Sequence, residues 1–85
     1  MTKHFEQLWE EAERVAVELY PGTSQEKIDN IIKACQELRV NDDQNVFGRL
    51  LFWMCAFSQQ ENINSYTALV DYLQEIKEIS LQEPE

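Results

Sequence analysis

Glycine and proline are scarce, with two of each in 85 residues. That is too few for the turns of a small β fold or for a disordered linker protein. Histidine occurs once, as His4, and cysteine twice, as Cys35 and Cys55. Two cysteines so far apart, with one distant histidine, do not make a zinc site. Basic residues are also few: seven Lys and Arg stand against sixteen Asp and Glu, a net charge of −9. Unaided nucleic-acid binding needs clustered Lys and Arg to displace counterions, and an anionic membrane surface attracts the same residues. Both partners are therefore argued against. No apolar run approaches the roughly 20 residues of a membrane span. The opening residues Met1-Thr-Lys-His-Phe-Glu-Gln hold no apolar stretch of the kind a signal peptide needs. The expectation from these absences is a cytoplasmic protein with no direct nucleic-acid and no membrane partner.

What is present suits one small helical domain. Hydrophobic residues make up 44% of the chain, and nine of them are aromatic, which gives a short chain a large buried area per residue. Phe5, Leu8, Trp9, Ala12, Val15, Ala16 and Leu19 recur with the 3.6-residue period of one helix face. They predict a first helix over 3–20, ended by Pro21-Gly22. Thr23-Ser24-Gln25-Glu26 reads as a capping box that opens a second helix over 24–39. Its stripe is Ile28, Ile31, Ile32, Cys35 and Leu38. The polar turn Val40–Asn45 precedes a third helix over 43–59. Asn62, Asn64 and Ser65 are N-cap candidates for a fourth over 64–79, with Tyr66, Leu69, Val70, Leu73 and Ile76 as its stripe, widened by Tyr72 and Ile79. The fold class is thus all-α, a compact bundle of about four helices with up-down or orthogonal packing and the third helix central. Residues 1–80 form the domain and 81–85 a frayed acidic tail. Cys35 and Cys55 both fall in apolar helical stretches and are read as small buried hydrophobes.

The third helix has two faces. At 100° per residue, Val46, Phe47, Leu50, Leu51, Trp53, Met54 and Phe57 span roughly 160°, the expected core face. On the opposite side lie Gly48, Arg49, Phe52, Cys55 and Ala56, where a solvated helix carries Lys, Glu or Gln. Either other helices wrap both sides, or Gly48, Phe52, Cys55 and Ala56 form an exposed strip suited to a homodimer or partner-helix contact. If the strip is exposed, Phe52→Glu leaves a folded protein of smaller mass.

Charge is uneven along the chain. Glu6, Glu10, Glu11, Glu13 and Glu18 stand against Lys3 and Arg14 in the first helix. Asp71, Glu75, Glu78, Glu83 and Glu85 stand against Lys77 near the end. In an up-down bundle the first and last helices are neighbours, so Glu6, Glu10, Glu13, Asp71, Glu75 and Glu78 would share one acidic docking face for a basic protein. An acidic mimic of nucleic acid is the alternative use of such a face.

Chemistry is thinly represented. Glu10-Glu11, followed by Glu26-x-x-Asp29, is similar to the all-α nucleotide pyrophosphatases of the MazG type. In that family Glu-Glu-x-x-Glu and a later Glu-x-x-Asp hold magnesium between helices, so the resemblance implies a magnesium-dependent site, here completed at a dimer interface. The place of the third glutamate is taken by Arg14, which would compete for the same carboxylate oxygens. No phosphate loop and no nucleophile with a matched base occur. The reading is therefore no enzyme, no catalytic residue, no metal and no cofactor. It is a small acidic module for protein–protein interaction: an adaptor, a regulatory or inhibitory subunit, or an assembly component.

Overall fold

The computed structural model describes residues 2–82. It is all-α, with four helices: α1 (Thr2–Leu19), α2 (Ser24–Val40), α3 (Gln44–Gln60) and α4 (Ser65–Gln82). The stretch expected to fray begins at residue 81, and α4 runs on to Gln82. Glu83, Pro84 and Glu85 lie outside the described residues.

The helix boundaries follow from side chains that satisfy the backbone N–H groups left unpaired at a helix start. Thr23 accepts from the N–H of Glu26 at 3.2 Å while Glu26 accepts from the N–H of Thr23 at 3.3 Å, which completes the capping box. Asp43 caps α3 through the N–H of Asn45 at 3.0 Å. Of the three candidates before α4, Asn64 does the work, accepting from the N–H of Thr67 at 2.9 Å. Asn62 takes a φ of 61°, a left-handed conformation that asparagine tolerates better than most residues. It turns the chain out of α3 as the N–H of Ile63 donates to the Ser58 carbonyl at 2.8 Å.

Helix α3 is central: α2 packs most closely along it and α1 lies against it as well. The buried hydrophobic residues are small or medium in size: Ala16 on α1, Ala34 on α2, and Val46, Cys55 and Ala56 on α3. Small side chains allow backbones to approach, so the helices meet where alanine and cysteine stand and not where the aromatic rings are. Both sides of α3 are in use. Val46 comes from the expected core face, and Cys55 and Ala56 come from the strip behind it. On that core face Phe47 and Met54 are exposed, while Leu50, Leu51, Trp53 and Phe57 are half-buried.

The register of α2 is corrected in the same way. Its buried line runs through Lys27 and Ala34, with Ile31 and Leu38 half-buried, whereas Ile32 and Cys35 are exposed. Ala34, and not Cys35, stands at the contact. Lys27 lays its stem along the packed side and donates from Nζ to the Gly22 carbonyl at 3.1 Å. That places its charge at the C-terminal end of α1, where the helix dipole favours a cation.

Helix α4 stands apart. It makes no extensive packing with any of the other three helices. The molecule extends 48 × 30 × 27 Å with a radius of gyration of 15.1 Å, where a compact chain of this length has about 12 Å. Among the described residues no helix is long and apolar enough to cross a membrane.

Candidate functional site

Two expected surfaces can now be placed. The strip on α3 is divided. Cys55 and Ala56 are buried within the chain, so they line no free surface, because α1 and α2 close over the side that looked spare. Phe52 is half-buried, its ring 5.9 Å from Tyr20 and 5.2 Å from Trp53, and Tyr20 and Trp53 are 5.0 Å apart. All three pairs meet edge to face, the arrangement that aromatic quadrupoles favour. Gly48 alone of the four is open, with nothing within 4 Å of where a Cβ would stand. Arg49 is tied to Glu37 of α2 by an exposed ion pair.

The acidic residues are also divided. Glu6, Glu10 and Glu13 line a cleft of about 720 Å³ between α1 and the start of α4. Phe5 and Trp9 supply its apolar wall on α1; Ile63, Tyr66 and Leu69 supply the opposite one. Among the described residues no Lys or Arg lines it. Asp71, Glu75 and Glu78 do not reach the cleft. At 100° per residue they fall on the polar side of α4, away from its apolar arc. A single acidic face formed by α1 and α4 needs the two helices side by side, and they meet only at one end. There the indole N–H of Trp9 donates to Ser65 Oγ at 3.1 Å.

Helix α4 presents the largest uncovered surface. Tyr66, Leu69, Val70, Tyr72, Leu73, Ile76 and Ile79 are between 43% and 65% exposed. They occupy an arc of roughly 180°, wider than the stripe of an ordinary surface helix. On α1, Phe5 is exposed in the same cleft. The sequence marked α4 as apolar but carried no signal that the apolar side would stay open.

Chemical groups are not gathered. Among the described residues no three of His, Cys, Asp and Glu come together where they could hold a metal ion. Glu26, one member of the Glu26-x-x-Asp29 pair, is engaged at the Thr23 cap. Ser58 is buried and satisfied, donating from Oγ to the Cys55 carbonyl at 3.0 Å and lying 3.5 Å from Glu13 Oε2. The Cys55 thiol is pushed up from 9.0 to about 12, first by burial and then by the negative charge of Glu13, against an opposing hydrogen bond with its own backbone. Comparison with protein-family models, with curated proteins and with solved structures finds no match.

The two thiols therefore differ. At pH 8, iodoacetamide is expected to add once to the native protein, at exposed Cys35, and twice after unfolding, which intact-mass measurement reads directly. The pH dependence has a definite sign. Cys55 is protonated in both states below 9, ionises first in the unfolded chain, and remains protonated in the fold until about 12. Stability is thus lost as pH rises from about 9 towards 12, by up to about 1.4 kcal/mol per pH unit from this group. Cys55→Ala is expected to flatten the fall in urea midpoint between those limits. An unchanged slope would mean that Cys55 is not shielded.

Proposed function

We propose that this chain is a small acidic protein–protein interaction module, an adaptor, regulatory subunit or assembly component, working through the open apolar side of α4 and the cleft beside it. One observation carries the reading. The chain exposes 6929 Å², whereas a compact monomer of its 10.1 kDa exposes about 5,300 Å². The excess, polar and apolar surface together, is on the order of 1,600 Å², and all the large apolar residues from 63 to 79 are among those left exposed. Glu6, Glu10 and Glu13 along the cleft favour a cationic group on whatever docks there. Their long-range part would speed association and weaken as salt rises. Two unpaired thiols, one buried and one exposed, suit a reducing compartment, so the proposed location is the cytoplasm.

The test is a triple substitution, Tyr66→Ser with Leu69→Ser and Leu73→Ser. Epitope-tagged wild-type chain from its own cells is expected to elute well above 10.1 kDa. The triple variant is expected to elute as the lone chain, with α1–α3 still folded by circular dichroism. A wild-type chain that elutes alone and binds no apolar dye would end this reading.

A further inference from the structure

We infer that the occupant of the open side of α4 is the α4 of a second copy, packed antiparallel about a two-fold axis that crosses the helix at residue 71. The inference rests on the interaction reading above and names its partner.

An antiparallel two-fold pair imposes a strict condition. A residue at position i of one helix must meet the residue equally far on the other side of the crossing point, so the surface has to be self-complementary. The exposed apolar residues around α4 meet that condition about position 71. Tyr66 is matched by Ile76, Leu69 by Leu73, and Val70 by Tyr72. The match continues beyond the helix start, where Ile63 corresponds to Ile79. These are all the large apolar residues from 63 to 79, and each is 43% or more exposed. Asp71, at the crossing point, faces away from the arc, so the pairing does not set like charges together at its centre. Leu69 and Leu73 lie about 20° on either side of the direction opposite Asp71 by helix geometry.

The polar residues fit the same placement. Lys77 is the one basic residue between 65 and 79, and it stands inside the apolar arc. The two-fold sets it over the partner subunit's Ser65. In each chain that serine accepts the Trp9 indole N–H at the mouth of the cleft that holds Glu6, Glu10 and Glu13. The lone cation of α4 thereby meets the carboxylates of the other copy, and the partner's Ile76 and Ile79 enter the apolar part of the cleft. The area agrees. The side chains left open on α4, with Phe5, amount to on the order of 800 Å² per copy, the size of a standard stable interface. A partner present from folding onward also accounts for the absence, among the described residues, of a fully buried large side chain.

The test combines mass with site-specific cross-linking of the full chain. Sedimentation is expected to give twice the 10.1 kDa chain mass. In a Cys35→Ser background, Tyr66→Cys and Ile76→Cys are made separately. Under the proposed pairing, equivalent residues of the two copies at 66, or at 76, lie about 15 Å apart along the helices, beyond disulfide reach, while residue 66 faces the partner's residue 76. Each variant alone is expected to stay uncross-linked under oxidation, and an equimolar mixture to give a covalent dimer of one chain of each. Self-linking of either variant, or no linking in the mixture, overturns the inference. A wild-type monomer that binds an apolar dye at α4 overturns the second copy but leaves the interaction module standing. A monomer that binds no dye and whose α4 resists protease overturns both.

Discussion

Phe52→Ala is expected to lower the stability of the fold by about 3 kcal/mol, whereas Phe47→Ala, five positions earlier on the same helix, should cost less than about 1 kcal/mol. The two residues have the same side chain and differ in surroundings. Phe52 is half-buried and holds edge-to-face contacts with both Tyr20 and Trp53. Phe47 is 51% exposed and joins no described aromatic pair. Removing Phe52 deletes apolar area at the junction of α1 and α3 and leaves the other two rings without their third member. Each lost edge-to-face pair adds about 0.5–1.5 kcal/mol to the area term. In a domain of this size a loss of 3 kcal/mol shifts the thermal midpoint by about 15 °C. Urea titration followed by tryptophan fluorescence, at one fixed protein concentration because assembly raises apparent stability, measures both variants. Equal losses at 47 and 52 would show that the aromatic cluster is not a distinct support. The structure also changes what Phe52→Glu should do. A carboxylate set against the Tyr20 and Trp53 rings is expected to unfold α3, not to release a folded monomer.

That reversal shows what could and could not be read from the chain before its structure. Helix starts were legible because a cap is local: Thr23 and Glu26 need only each other and four consecutive residues, and the box forms as expected. The terminators Pro21-Gly22 were legible for the same reason. The side of a helix that packs is a different kind of fact, since it depends on what lies opposite. Large apolar residues outvote small ones on a helical wheel, yet backbones approach where side chains are short. This is why Ala34 displaced Cys35 on α2, and why Cys55 and Ala56 on α3 are buried while Phe47 and Met54 are open. The burial of Lys27 was not legible, because no local pattern reports that a main-chain carbonyl from the preceding turn lies within reach. The apolar arc of α4 was visible in full. Its lack of a neighbour was not, because an amphipathic pattern says that a face must be covered and not by which chain. The acidic residues show the same limit. Glu6, Glu10 and Glu13 do share a cleft wall, and Asp71, Glu75 and Glu78 do share a helix face. Joining the two sets required a packing of α1 on α4 that three intervening helix–helix choices had to settle first.

The second large effect separates the two ends of the strip on α3. Ala56→Leu is expected to cost about 2–3 kcal/mol, while Gly48→Ala is expected to stabilise by about 0.5–1 kcal/mol. Ala56 is 0% exposed, at a point where the packed helices leave no volume for a branched side chain. Extra methylenes there must push the helices apart or leave their rotamer wells. Gly48 is in the interior of the same helix with no atom within 4 Å of the added Cβ. Alanine there loses less backbone entropy on folding and meets nothing. Two substitutions eight positions apart should thus move the urea midpoint in opposite directions, a contrast that no uniform view of the strip produces. The sign at Gly48 has a further use. If Gly48→Ala destabilises the protein in solution, a helix from another molecule comes against that spot closely enough to exclude a methyl group, and the contact between chains runs over α3. If it stabilises, that spot on α3 is free, as the proposed contact through the apolar side of α4 requires.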